Sequence, residues 1–317
     1  VRSLVSKLPD VGTTIFTVIS RRAEELGAVN LGQGFPDYPV DPRLIELVTS
    51  AMQAGFNQYA PMAGLPALQQ AICADVRRRH GRSVDAGAEI TVTVGATEAI
   101  FSAILGLVGQ GDEVIVFDPA YDSYDPAVRL AGARCVHVPL LPPTFAFDWD
   151  RVRAAVTPRT RMIIVNSPQN PSCTVMSRED LHALARLAEE RDLIVLSDEV
   201  YEHLVYDGGM HASVLSEPSL APRSLAVFSY GKSLHATGLR VGYCIAPAPL
   251  TTELRRVHQF NTFTIATSLQ HAIAAYLAEN PTVFDALAPF FTAKRRMLTE
   301  GLEGSALRVL PSKGTYF

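Results

Sequence analysis

Through the middle of the chain, short apolar runs alternate with longer segments whose apolar residues recur every three or four positions. The runs Glu89–Val94, Glu113–Phe117, Arg161–Val165, Leu193–Leu196, Ser224–Phe228 and Gly242–Ala246 read as strands, with a less distinct one at Cys135–Val138. Between them, Thr97–Val108 puts Ile100, Ile104 and Leu107 on one face. Ser177–Arg191 does the same with Leu181, Leu184, Leu187 and Ala188, behind Ser177 as N-cap. Strands apolar on both faces, alternating with one-sided helices, predict a parallel sheet covered on both sides. The flanks differ. Thr13–Leu26, Arg43–Gly55, Leu65–His80, Thr251–Phe263, Ser268–Glu279 and Val283–Leu302 have helical spacing, and Leu307–Leu310 reads as one more strand. The pattern predicts a central α/β unit with a smaller part built from both ends.

Composition narrows the class. The 317 residues suit two domains or one large one, and 48% hydrophobic residues allow a sizeable core. A net charge of -4 without a basic face argues against a nucleic-acid binder. No apolar run approaches the ~18 residues of a membrane span, and no leader-like segment opens the chain. Cys73, Cys135, Cys173 and Cys244 lack any CxxC spacing and read as reduced thiols of a cytoplasmic protein. The eight histidines show no metal spacing, so no metal is expected. Both ends read as cut, at Val1 and at an apolar Tyr316-Phe317.

In an open parallel sheet, ligands bind beyond the carboxyl ends of the strands. Gly95-Ala96-Thr97 follows the first strand and opens a helix, which suits an anion, although a plain turn and cap explains it as well. Tyr121 follows the second strand, as an aromatic plate or a packing residue. Asn170 sits in the turn-rich Asn166–Pro171. Asp198 and Tyr201 follow Leu193–Leu196. A carboxylate there is costly unless a cation pairs it, with a helix cap as the bland alternative. Ser229, Lys232 and Arg240 lie in the loop between the last two strands. Together these are an anion cradle, an aromatic, a carboxylate and an amine at one sheet edge. A lysine amine can form a Schiff base with an aldehyde, and a carboxylate can hold a pyridinium protonated. Pyridoxal 5′-phosphate has all the matching handles.

The chain resembles the fold-type I, class I/II pyridoxal-phosphate aminotransferases along its whole length. The resemblance rests on VNLGQGFPDYP (29–39), NQYAPMAG (57–64), TVGATEAI (93–100), DPAYDSY (118–124), NSPQNPS (166–172), SDEVYEHL (197–204) and SYGKSLHATGLRVGY (229–243). Within the family it looks most like the bacterial methionine aminotransferases, near the kynurenine/glutamine transaminase branch, on KLPDVGTTIFT (7–17), HASVL (211–215) and GYCIAPAP (242–249). The resemblance implies an α/β fold with a mostly parallel central sheet. It divides the chain into an N-terminal segment of the small domain (1–40), a large cofactor-binding domain (41–280) and the start of a C-terminal small domain (281–317) that runs on. It implies Lys232 as the Schiff-base lysine and proton-transfer group, and Asp198 as partner of the pyridine nitrogen. Tyr201 and Asn170 would bond the phenolic oxygen. Ser229, Arg240 and the backbone N–H groups of Ala96 and Thr97 would bind the phosphate, and Tyr121 would stack on the ring. Gly34, with Asn170, would lie against the substrate. Tyr59 would reach the phosphate of a neighbouring subunit, which implies a homodimer with shared sites. The implied reaction moves an amino group from an L-amino acid, methionine or aromatic, to a 2-oxo acid with ping-pong kinetics.

The sequence departs from the family at Cys173, where glycine is frequent and where cysteine is small enough for the turn to survive. The family's α-carboxylate-binding arginine would lie beyond Phe317. Three rival readings remain. Gly231-Lys232-Ser233 resembles the end of a P-loop, but Ala226 stands where that motif needs glycine. A non-enzymatic pyridoxal-phosphate sensor would carry a DNA-binding module ahead of Val1. A kynurenine/glutamine transaminase with β-lyase side activity is the nearest alternative.

Overall fold

A computed structural model describes residues 4–34, 36 and 38–317; Phe35 and Asp37 of the motif at 29–39 and the opening Val1 lie outside the described residues. Seven strands form one sheet: β1 (Ile90–Thr93), β2 (Glu113–Asp118), β3 (Arg134–Pro139), β4 (Thr160–Asn166), β5 (Ile194–Asp198), β6 (Ser224–Ser229) and β7 (Gly242–Ile245). Their order is β1-β7-β6-β5-β4-β2-β3. The run from β3 to β6 is parallel, whereas β7 is antiparallel to both β6 and β1. The connection 230–241 fits the reversal. A parallel return usually needs a crossover helix to span the sheet, and these twelve residues hold only two short turns.

Alternate residues of the strands feed two cores. Ile115, Ile163, Val195 and Ala226 face one layer, and Val114, Val116, Met162, Ile164, Leu196 and Leu225 face the other. Both faces are buried, which is why these strands read as continuous apolar runs. On the second face, helix Gly95–Leu107 packs on helix Ala248–Asn261 so closely that a Cβ on Gly106 would lie 2.7 Å from the Glu253 carbonyl. Ser177 caps Arg178–Glu190 as expected, with Asp180 completing a capping box.

Two expectations fail. Leu307–Leu310 forms no strand: Leu307 and Val309 face solvent, and that stretch joins no sheet. Val283–Leu302 is not one helix but a 3₁₀ turn, Val283–Ala286, followed by helix Leu287–Gly301. Pro289 gives the reason. It is tolerated in the first turn of the second helix but would break the interior of a continuous one.

Candidate active site

A cavity of about 530 Å³ lies at the carboxyl ends of the parallel strands. It is lined by Ala96, Thr97, Tyr121, Asn170, Asp198, Tyr201, Ser229, Lys232 and Arg240, together with Ile100, Asn166 and Val200. Nine of the residues singled out from the sequence therefore meet in one place. A wider groove of about 1240 Å³ shares Tyr121, Asn170, Tyr201 and Lys232 with the cavity and adds Gly34.

Asp198 ends β5 and is buried. Among the described residues it has two hydrogen-bond donors and no ion-pair partner. The Tyr124 hydroxyl donates to Oδ2 at 2.6 Å and the Val200 N–H to Oδ1 at 3.4 Å. Burial pushes its carboxyl up to about 6, against the pull of these bonds and of the Lys232 charge. Its place is thus that of a carboxyl still short of a cation. Lys232 lies in the turn after β6 with its Nζ 5.6 Å from the centre of the Tyr201 ring. Burial lowers the affinity of this amine for its proton, and the Arg240 charge adds to the effect.

The opposite end of the cavity is electropositive. Helix Gly95–Leu107 begins there with its free N–H groups, and Arg240, in a left-handed conformation with φ 55, lies beside them. Two glycines clear this cradle. Gly95 has φ 67, and a Cβ there would lie 2.8 Å from Arg240 Nη2. A Cβ on Gly242 would meet only backbone, at 2.6 Å from Phe228 O, 2.7 Å from Gly95 C and 2.9 Å from Ala96 N. Gly242→Ala is therefore expected to displace the helix N-terminus and to cost about 1–3 kcal/mol by overpacking. Thermal melting and the binding of inorganic phosphate measure both, and wild-type values for both would refute it.

The sequence reading passed over three contributors. Tyr124, at the start of helix Tyr124–Leu130, holds Asp198. Asn166 donates to the Asp198 carbonyl at 2.8 Å and accepts from the Asn170 N–H at 2.7 Å, so it ties β5 to the Asn170 loop. The third is the charge cluster behind the site. In the turn after β5, Asp198 and Tyr201 line the cavity while Glu199 and Glu202 are buried among His211, Arg79, His80 and His203. Glu199 pairs with His211 at 2.7 Å, and Glu202 with Arg79 at 2.7 Å. Burial works against ionising Glu202, but the Arg79 guanidinium holds it well below the usual carboxylate range. SDEVYEHL carried the signal, since its acids flank both site residues.

Cys173 has φ 59, the left-handed conformation that favours glycine, and the turn survives as expected: its N–H donates to Gln169 O at 3.0 Å. Gly34 faces Phe317, whose ring a Cβ would meet at 2.3 Å. Tyr59 stands apart from the cavity. It is 84% exposed and touches Phe263 edge-on.

Residues 27–317 match the family model for aminotransferase class I and II. A methionine aminotransferase of Escherichia coli (strain K12) is 47% identical over 98% of this chain and 81% of its own length. The solved structure of YbdL from Escherichia coli, described as having a methionine aminotransferase function, superposes with a TM-score of 0.97 at 47% identity, over 99% of this chain and 82% of that one. The N-succinyldiaminopimelate aminotransferase from Mycobacterium tuberculosis gives a TM-score of 0.95 at 42% identity, over 99% and 82%.

Proposed function

We propose, for a chain that belongs to the class I and II aminotransferase family, that pyridoxal 5′-phosphate is its cofactor and methionine or an aromatic amino acid its donor. The chain is a transaminase: it moves the amino group of an amino acid to a 2-oxo acid. Asp198 is the observation that carries the cofactor reading. A buried carboxyl without a cation, in one cavity with a half-buried amine and an electropositive helix end, fits a ligand with a basic ring nitrogen, a carbonyl and a phosphate. Asp198 would face the nitrogen, Tyr201 and Asn170 the ring oxygen, and Tyr121 the ring. Ser229, Arg240, Ala96 and Thr97 would hold the phosphate.

The cofactor, when bound, supplies an electron sink for the carbanion formed at the substrate Cα. The chain supplies the rest. Lys232 Nζ takes the Cα proton as base and, once charged, gives it back as acid. Its lowered proton affinity brings the amine nearer to working pH. Asp198, ionised once a cation sits beside it, keeps that cation protonated. Tyr124 and Asn166 keep Asp198 in place. The aromatic rings of Phe16, Tyr121, Tyr201 and Phe317, set among polar side chains of the groove, favour a thioether or aromatic side chain over a dicarboxylate. In a panel of amino donors offered to the full-length enzyme, methionine and aromatic donors are expected to exceed aspartate and glutamate in kcat/KM by roughly tenfold or more, the scale of one well-filled apolar pocket. A dicarboxylate or N-succinyldiaminopimelate as best donor overturns this.

The same proposal includes cytoplasmic residence and a homodimer. Among the described residues no helix is long and apolar enough to cross a membrane. Tyr59 and Phe263 meet edge-on and are exposed, as are Phe56 and Phe260, which suits a partner's surface. An isologous contact there lets each subunit lend Tyr59 to the other's phosphate. Tyr59→Phe is expected to leave the fold intact and weaken cofactor retention by roughly 1.5–3 kcal/mol, one charge-assisted hydrogen bond. Sedimentation at micromolar concentration, combined with a cofactor-release assay, checks it. A fully active monomer sinks the shared site.

A further inference from the structure

At the first turn of helix Tyr124–Leu130, four metal-ligating side chains converge. We propose that Asp125, Cys135 and His137 form a site for a single thiophilic divalent cation, Zn²⁺ by its chemistry, with Asp118 orienting the histidine. Their ligand atoms all lie within 4.8 Å of one another. Cys135 and His137 are two apart on β3, so they point to the same face of the sheet. Asp125 comes from the first turn of the helix that covers that face, and Asp118 ends the neighbouring strand β2. No spacing rule finds such a set, because a strand, a helix start and a second strand contribute to it.

The geometry sorts the four residues into ligands and support. His137 Nδ1 lies 3.0 Å from Asp118, so Asp118 accepts the ring N–H and leaves the lone pair on Nε2. This is the carboxylate–histidine pairing that fixes the tautomer of zinc-bound histidines. Nε2 then faces Asp125 Oδ1 at 4.0 Å, beyond hydrogen-bond reach. Two such ligands on one tetrahedral zinc sit about 3.4 Å apart, given bond lengths near 2.1 Å. The gap thus closes with a movement of about half an ångström. The other oxygen of Asp125, Oδ2, is held by Arg129 at 3.3 Å, and the carboxylate also accepts from the Cys135 thiol, whose proton a cation would displace. The mixed set of one sulfur, one nitrogen and one oxygen selects zinc over magnesium or calcium. Three protein ligands beside a half-exposed His137 leave a fourth position for water. Ligation requires the Cys135 thiol to give up its proton. Binding replaces that proton, which leaves to solvent. The cation would staple edge strand β3 to the helix whose Tyr124 holds Asp198.

The test is a calorimetric titration of tag-free, chelator-dialysed holoenzyme with zinc chloride. A parallel titration with Co²⁺ would report tetrahedral ligation by ligand-field bands at wavelengths longer than the cofactor absorbs. The wild type should bind one equivalent. His137→Ala and Cys135→Ser should each lose that binding and the cobalt bands, with the cofactor absorbance unchanged as a check on folding. His137 is half-exposed, so His137→Ala stands as the decisive variant where Cys135→Ser disturbs the fold. Asp118→Asn should weaken binding by about 10–100-fold. No stoichiometric binding by the wild type, or equal binding by His137→Ala, overturns the proposal.

Discussion

Lys232→Ala is expected to remove nearly all transamination, by on the order of 10⁴-fold or more, since acid–base catalysis by one positioned group contributes about 10²–10⁴ and, in the proposed reading, this residue also anchors the cofactor. The protein should lose the absorbance that a lysine-linked cofactor gives, while its melting temperature stays close to the wild type's. Truncation leaves no ion pair stranded among the described residues; the Lys232 Nζ lies 5.6 Å from the centre of the Tyr201 ring. Single-turnover absorbance with methionine and steady-state assay with a coupled 2-oxo acid check it. Wild-type turnover by Lys232→Ala would end this assignment.

Asp198→Asn should separate activity from stability. With the carboxylate gone, the proposed phosphate cradle should still retain the cofactor, but kcat should fall by several orders of magnitude, about 4 kcal/mol or more at 1.36 kcal/mol per tenfold. The cofactor-free protein should move the other way. The folded-state value, about 6, lies above the ordinary 3.8, so the folded protein binds this proton more tightly than the unfolded chain. That contribution is fully present below about pH 4 and is lost as pH rises through 6. By pH 8 the ionised, unpaired carboxylate costs the cofactor-free fold about 3 kcal/mol. Asp198→Asn should therefore melt above the wild type at pH 8 without cofactor, and level with it near pH 4. If the variant is the less stable protein at both values, Asp198 is not waiting for a cation.

Asp198, Tyr201, Asn170 and Lys232 could be singled out because each lies at or just after the end of a strand, where a parallel sheet gathers its ligands, and Arg240 because it lies in the loop between the last two strands; all five line the cavity. Tyr124 and Asn166 belong to the same motifs but were not assigned, because their work is to hold other site residues. A hydrogen bond across 74 positions, Tyr124 to Asp198, has no local periodicity to announce it. The buried pairs Glu199–His211 and Glu202–Arg79 escaped for the same reason: a charge reads as solvated until its partners are known.

By itself the sequence determined the alternation of elements, the strand-end chemistry, the capping of Arg178–Glu190 and the left-handed turn that Cys173 occupies in place of glycine. Those are set by properties local to a few residues: side-chain period, hydroxyl caps and backbone sterics. Only the tertiary structure decided that β7 runs antiparallel, that Leu307–Leu310 is no strand, and that Pro289 starts a helix rather than riding inside one. Strand direction and pairing depend on which neighbour supplies the hydrogen bonds, and an apolar run without such a neighbour stays extended and exposed. The convergence of Asp118, Asp125, Cys135 and His137 is of the same kind. Four residues on three elements become one site only when a helix is laid across an edge strand.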